Sequence, residues 1–297
     1  MRLDFIDSGI LVDFFEEEGD YFFLTHCHSD HLRGLNSDWD KGVIFTSSIN
    51  CSLLPLITGV DPGRVREIPS PFRLKTRLSN VEIEVEQLDA NHCMGAVMYF
   101  IKWFSKQDER EKTCLVTGDF RVDDRLLGWA EAHAGVDYLL YDDTYEKENI
   151  EFPMKSDSIL EVVEIIRQHP NRTIYLAVYN VGKEDIILKI HEILGKKVYF
   201  PFRKKSLLEA KGLNHCVTFS KRQSNIRAYH RNYFINHGHS LDKDCVVIFP
   251  SGLKLELDLK TDLVYQVFYS EHCDSFELNN FLSRLAPVWK KPLFQPF

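Results

Sequence analysis

The sequence predicts an α/β protein. Three observations carry this reading: a first half built of short β-rich runs broken by Gly, Asn, Asp and Pro, a second half in which strands alternate with amphipathic helices, and no repeat or low-complexity tract in 297 residues. In order, "GILVDFF", "DYFFLTH", "GVIFTS", "VEIEVEQLDA", "AVMYFIKWF", "KTCLVTGDFR" and "VDYLLYDDTY" are the expected strands of the first half. From about Pro153 the period changes. "SDSILEVVEIIRQH" spaces its apolar residues as a helix does, with Ser156 as N-cap; "TIYLAVYNVG" is a buried strand, "KEDIILKIHEIL" a second helix and "KKVYF" a strand. Strand, crossover helix and strand form a parallel unit. "LVYQVFYSEH" then predicts a strand, and "DSFELNNFLSRL" a helix.

Composition narrows the function classes. At 44% hydrophobic, the chain has enough apolar material for one large domain or two smaller ones. No apolar run reaches the roughly 18 residues of a membrane span, and "MRLDFIDSGILVDFF" carries acids where a signal peptide is apolar. A soluble, intracellular protein with no membrane partner is the expectation. Seven cysteines without a CxxC pair suit a reducing compartment.

The net charge of −8 argues against nucleic acid until its distribution is considered. Gly195 to Arg231 holds ten basic residues and one acid, so this stretch is +9 and the remainder −17. Such asymmetry can give an acidic protein a basic face. Lys204 and Lys205 are its candidate DNA-backbone contacts.

The chemistry gathers at residues 23–35, "FLTHCHSDHLRGL", where His26, His28, Asp30 and His31 fall within six positions. Histidine makes up only 12 of the 297 residues, and an H-x-H-x-D-H run arises by chance on the order of 0.001 times in such a chain. Imidazole and carboxylate are natural zinc ligands, whereas solvated loop histidines need no such spacing. Other expected strands end similarly: Asp13 closes "GILVD", His92 lies in "DANHCMG", Asp119 in "TGDFR", Asp142 in "YDDTY" and His272 in "YSEHCDSF". Strand ends on one sheet edge bring such residues together across the chain.

This ordered set resembles the metallo-β-lactamase superfamily. The continuation through "YDDTY", "NVGKED" and "YSEHCDSF" is similar to its β-CASP nucleases, within them the DNA cross-link repair group, over nearly the whole chain. The resemblance implies an α/β fold: an αββα metallo-β-lactamase sandwich, residues 1–151 plus 261–297, with an inserted α/β β-CASP domain, residues 152–260. It implies a first zinc site at His26, His28, His92 and Asp119, with iron as another occupant, and a second at Asp30, His31 and the bridging Asp119. It places Asp13 in support behind the metal loop, and Asp30, Asp142 and His272 among the catalytic residues, His272 beside the scissile phosphate. Asp142 is expected to orient a ligand histidine.

Three departures stand out. Met94 replaces the family's usual proline, Arg227 stands where a histidine is common, and "PSGLKLEL" lacks a tryptophan after its glycine.

The implied activity is a zinc-dependent 5′ to 3′ DNA exonuclease in repair or telomere end processing, nuclear and monomeric. Its expected partner is single-stranded DNA or a DNA end with a 5′ phosphate, with the telomere-protein partner left open. Bound zinc lowers the pKa of water toward 7 and polarises a phosphoryl oxygen. In "YNVGKED", Gly182, Lys183 and the helix amides behind them are the expected seat of the 5′ phosphate. The metal loop alone suits a thioester or lactone hydrolase equally, and a scaffold that has lost catalysis is a third class. The complete ligand set and the basic stretch favour the nuclease.

Overall fold

The computed structural model describes residues 1–3, 9–69, 71–76, 81–252 and 259–293. Residues 253–257 of "PSGLKLEL" and the last four residues of the chain are among those outside these. The chain divides into two compact units, Met1–Glu151 with Glu271–Phe297, and Phe152–Ser270. The expected return to the first unit at residue 261 is therefore ten residues early. Val264–Val267 pairs in parallel with Val246–Pro250, which keeps this strand in the second unit's sheet.

In the first unit, β1 (Ile10–Val12), β2 (Tyr21–Phe23), β3 (Ile44–Thr46) and β4 (Val65–Glu67) form a parallel four-stranded sheet in that order. A second sheet contains β5 (Phe72–Lys75), β6 (Glu82–Asp89), β7 (Val97–Ser105), β8 (Arg110–Val116) and β9 (Tyr138–Tyr141). β5 to β8 are antiparallel; β9 joins β8 in parallel.

Strand alternation builds two cores from β7. Val97, Tyr99, Ile101 and Trp103 join Ile10, Val12 and Phe23 of the first sheet in one cluster. Met98 and Phe100 point the other way, toward Leu126 and Ala130 of α2 (Asp124–Ala132) and Phe281, Leu282 and Leu285 of α7 (Ser275–Leu285). Each fully buried side chain of this kind stabilises by about 1.5–3 kcal/mol. Asp274 and Glu277 close a capping box at the start of α7, satisfying otherwise orphaned amides there.

The second unit is a parallel sheet with helices. α3 (Lys155–Gln168), β10 (Ile174–Val178), α4 (Glu184–Leu194) and β11 (Val198–Tyr199) follow the predicted rhythm. Then come α5 (Lys205–Ala210), β12 (Val217–Thr218), β13 (Ile226–His230), α6 (Arg231–His237), β14 (Val246–Pro250) and β15 (Val264–Val267), with strand order β12-β11-β13-β10-β14-β15. All residues of β10 and β14 are buried, as expected of strands covered on both faces. Ser156 is not the cap of α3: the helix begins at Lys155, and the Met154 carbonyl accepts from the amides of Asp157 and Ser158. Among the described residues, no helix is long and apolar enough to cross a membrane.

Candidate metal centre

The ends of β1 and β2 build the support of the site. Asp13 follows β1 with a left-handed φ of 49°, which turns its carboxylate toward the end of β2. Its Oδ1 accepts from the Thr25 amide at 2.8 Å and its Oδ2 from the Thr25 hydroxyl at 2.6 Å. That hydroxyl has spent its only proton on Asp13, so at 3.0 Å from His26 Nδ1 it accepts from the ring. Nδ1 then carries the proton of His26, and Nε2 presents a lone pair. His31 Nδ1 reaches the same Asp13 Oδ2 at 2.8 Å.

Three ring nitrogens converge with one carboxylate. His28 Nδ1 stands 3.0 Å from both His26 Nε2 and His92 Nε2, while Asp119 Oδ2 lies 3.4 Å from His26 Nε2 and 3.7 Å from His92 Nε2. The His92 Nδ1 donates to the Glu271 carbonyl at 2.8 Å, again leaving Nε2 to face the cluster. Burial, reinforced by His26 and His272, pushes His92 well below the usual histidine range, so it is a neutral donor.

Asp119 is buried, with its Oδ1 3.2 Å from His31 Nε2. Burial opposes ionisation of Asp119, yet His31 and His26 hold it well below the carboxylate range. Burial likewise opposes charge on His31, but Asp119 and Asp13 raise it well above the ordinary value. Convergent imidazole lone pairs beside an ionised carboxylate call for positive charge, and a His3Asp donor set fits zinc.

His26, His28, His92 and Asp119 offer ligand atoms within 4.8 Å of one another; Asp30, His31 and Asp119 do the same. The second group is more open, because the Asp30 side chain is 65% exposed.

His272 completes the edge. Its Nδ1 meets Asp142 Oδ2 at 2.7 Å and its Nε2 lies 3.9 Å from Asp119 Oδ2. Burial works against a charged ring here, but Asp142 and then Asp119 outweigh it and hold His272 up at about 9. Asp142 is itself fixed by Thr144, whose amide and hydroxyl donate to Oδ1 at 2.9 and 2.5 Å. Asp142 thus orients His272.

Sequence reasoning passed over Thr25, Thr144, Asn50 and the Glu271 carbonyl. Asn50 is buried in α1 (Ser48–Thr58) and its side-chain amide donates to the Thr25, Thr46 and Gly95 oxygens, tying the histidine loop to the His92 loop. Thr25 had a signal: it directly precedes the first histidine. Gly118 had another in "TGD", since its φ of 55° is left-handed and an added Cβ would lie 2.7 Å from Thr25.

Gly182 and Lys183 do not form the expected phosphate seat. The Gly182 amide donates to both Glu184 carboxylate oxygens at 2.8 and 3.0 Å, so the chain's own anion fills the turn. Lys183 is buried, its ammonium donating to the Pro250 carbonyl at 2.5 Å and lying 4.2 Å from the Tyr179 ring centroid. Nor is the basic stretch one continuous face. Lys211 is buried against Glu184, Lys204 turns to Asn180, and Arg227 reaches the Tyr175 hydroxyl at 3.2 Å. Lys205 stays at the surface beside Glu209, 5.6 Å from the Phe202 ring centroid.

A histidine and aspartate cluster of this kind at strand ends defines a candidate metallohydrolase. No family model matches the chain. Among curated proteins it is 30% identical to DNA ligase 6 of Arabidopsis thaliana over 95% of this chain and 22% of the relative. It is 27% identical to 5′ exonuclease Apollo of Danio rerio, over 92% of this chain and 48% of Apollo. It is 32% identical to the DNA cross-link repair protein SNM1 of Arabidopsis thaliana, over 64% of this chain and 39% of the relative. The chain thus spans under half the length of each of these relatives.

A crystal structure of a protein of unknown function from Enterococcus faecalis V583 shares the fold, with a TM-score of 0.64 at 15% identity, over 92% of this chain and 74% of that one. The chain is thus similar to relatives named as 5′ exonuclease Apollo and as DNA cross-link repair protein SNM1.

Proposed function

We propose that this protein is a zinc-dependent 5′ to 3′ DNA exonuclease of DNA repair or telomere end processing, acting in the nucleus. The convergence of His26, His28 and His92 on Asp119, with His31 sharing that carboxylate, carries the reading. In this reading the first unit is an αββα sandwich and the second an inserted β-CASP domain. The first metal is held by His26, His28, His92 and Asp119, with iron as another occupant, and the second by Asp30, His31 and Asp119. When bound, such metals supply water made acidic enough to attack near pH 7 and an electrophile for the phosphoryl oxygen.

The chain's own residues do the rest. Asp13 and Thr25 hold two histidines in the tautomer that leaves Nε2 directed at the cluster. Asp142 aims His272, which stabilises charge on the phosphate or protonates the leaving 3′ oxygen. Lys205 contacts the strand's backbone from the surface.

Digestion of 5′-phosphorylated and 5′-hydroxyl oligonucleotides, with products read from each end, tests the proposal. The expected ladder runs from the 5′ end, releases mononucleotides and disappears with a chelator. A 3′ to 5′ ladder, or turnover confined to a thioester and lactone panel, overturns it.

A further inference from the structure

The second unit carries a cavity of about 540 Å³ containing none of the metal-centre residues. It opens at the carboxyl ends of three adjacent parallel strands, β11, β13 and β10, where open α/β sheets bind ligands. Its volume is within the range of small-molecule pockets.

Cations outnumber acids in the lining of the cavity. Arg203, Lys204 and Lys211 line it, against the single acid Glu184. Glu184 is consumed by Lys211 and the Gly182 amide, so Arg203 and Lys204 have no carboxylate among the lining residues to balance them. The Lys204 ammonium is held by the Asn180 side chain, and burial, with Arg203 and Lys211 nearby, lowers its pKa. An ammonium disfavoured in this way gains from an anion. Aromatic rings line the cavity as well: Tyr229 and Tyr233 stack with centroids 4.1 Å apart at 14°, and Tyr179 lies 5.9 Å from His230. Asn232 and Asn236 add neutral polar groups beside the rings.

Cationic side chains and stacked aromatic rings lining one cavity match a ligand with an anionic end and a flat ring. We infer that this cavity is a seat for a nucleoside monophosphate, the phosphate against Arg203 and Lys204 and the base along the Tyr229 and Tyr233 wall. Binding here does not depend on the chain hydrolysing DNA.

Calorimetric titration of the full chain with dAMP, adenosine and inorganic phosphate tests the inference. dAMP is expected to bind at least tenfold more tightly than either fragment. Lys204→Gln is expected to weaken dAMP at least tenfold while leaving adenosine unchanged, and Tyr233→Leu to weaken dAMP and adenosine but not phosphate. Competition by a 5′-phosphorylated tetranucleotide identifies the source: displacement of dAMP assigns the seat to a strand's terminal nucleotide, and independent binding assigns it to the free mononucleotide. Equal affinity for dAMP and inorganic phosphate overturns the inference, as does dAMP binding unaltered in both variants.

Discussion

His272 Nδ1 and Asp142 Oδ2 lie 2.7 Å apart although 130 positions separate the two residues. The carboxylate fixes the ring's orientation and leaves Nε2 turned toward Asp119 at 3.9 Å. His272→Ala is expected to lower kcat by roughly 10² or more, the scale of a positioned acid or electrostatic donor. Zinc content, read by elemental analysis, stays near that of the parent. Metal loss equal to the activity loss makes His272 a ligand instead.

Asp119 serves both ligand groups. Asp119→Ala should therefore remove metal from both and abolish hydrolysis, with elemental analysis and the nuclease assay falling together. Parental metal content in this variant refutes the assignment.

Gly118 combines a left-handed backbone with close approach to Thr25. Gly118→Ala adds a strain of about 1–2 kcal/mol from the backbone alone, and its Cβ displaces Thr25 from Asp13 and His26. Thermal unfolding at a lower Tm, accompanied by reduced zinc content, is the expected outcome. A lower Tm with full zinc content separates fold strain from the metal centre.

Glu184 and Lys211 form a buried ion pair in the second unit. Burial opposes the carboxylate, but Lys211 and the Gly182 amide hold it below 4.5. A depressed carboxyl pKa stabilises the folded state above the unfolded value, and that stability is lost as pH falls through the folded one. Urea midpoints of the parent should therefore drop below about pH 4.5 on this account. Glu184→Gln should lose about 3–5 kcal/mol at neutral pH, because it leaves Lys211 buried and unpaired, and show a flatter acid limb. Parallel acid limbs in the two proteins refute the pairing.

Lys205 is the surface cation among the two predicted DNA contacts, and Lys204 faces the cavity. Lys205→Gln is expected to reduce the slope of log affinity against log salt for single-stranded DNA by about 0.7, whatever the base sequence. An unaltered slope moves the strand's path elsewhere.

Much of this was legible because the signals are short-range. The alternation in "AVMYFIKWF" appears in β7 as two faces feeding two cores. The histidines and aspartates read at strand ends include two groups whose ligand atoms lie within 4.8 Å of one another. Helices α1 and α2 escaped the strand-dominated reading of the first half. α1 carries Pro55 in its interior, and α2 is only nine residues long, although Ser47, Gly59 and Asp123 at their ends are capping residue types.

By itself, then, the sequence determined which side chains are available as ligands and the strand and helix periods that carry them, since both depend on residues within one or two turns of each other. Only the tertiary structure decided their partners. His92 meets a carbonyl 179 positions away, Asp142 serves His272, Lys211 pairs with Glu184 across 27 positions, and Val264–Val267 stays with the second unit's sheet. Each outcome depends on satisfying buried donors and charges between distant segments, a balance that no local pattern records.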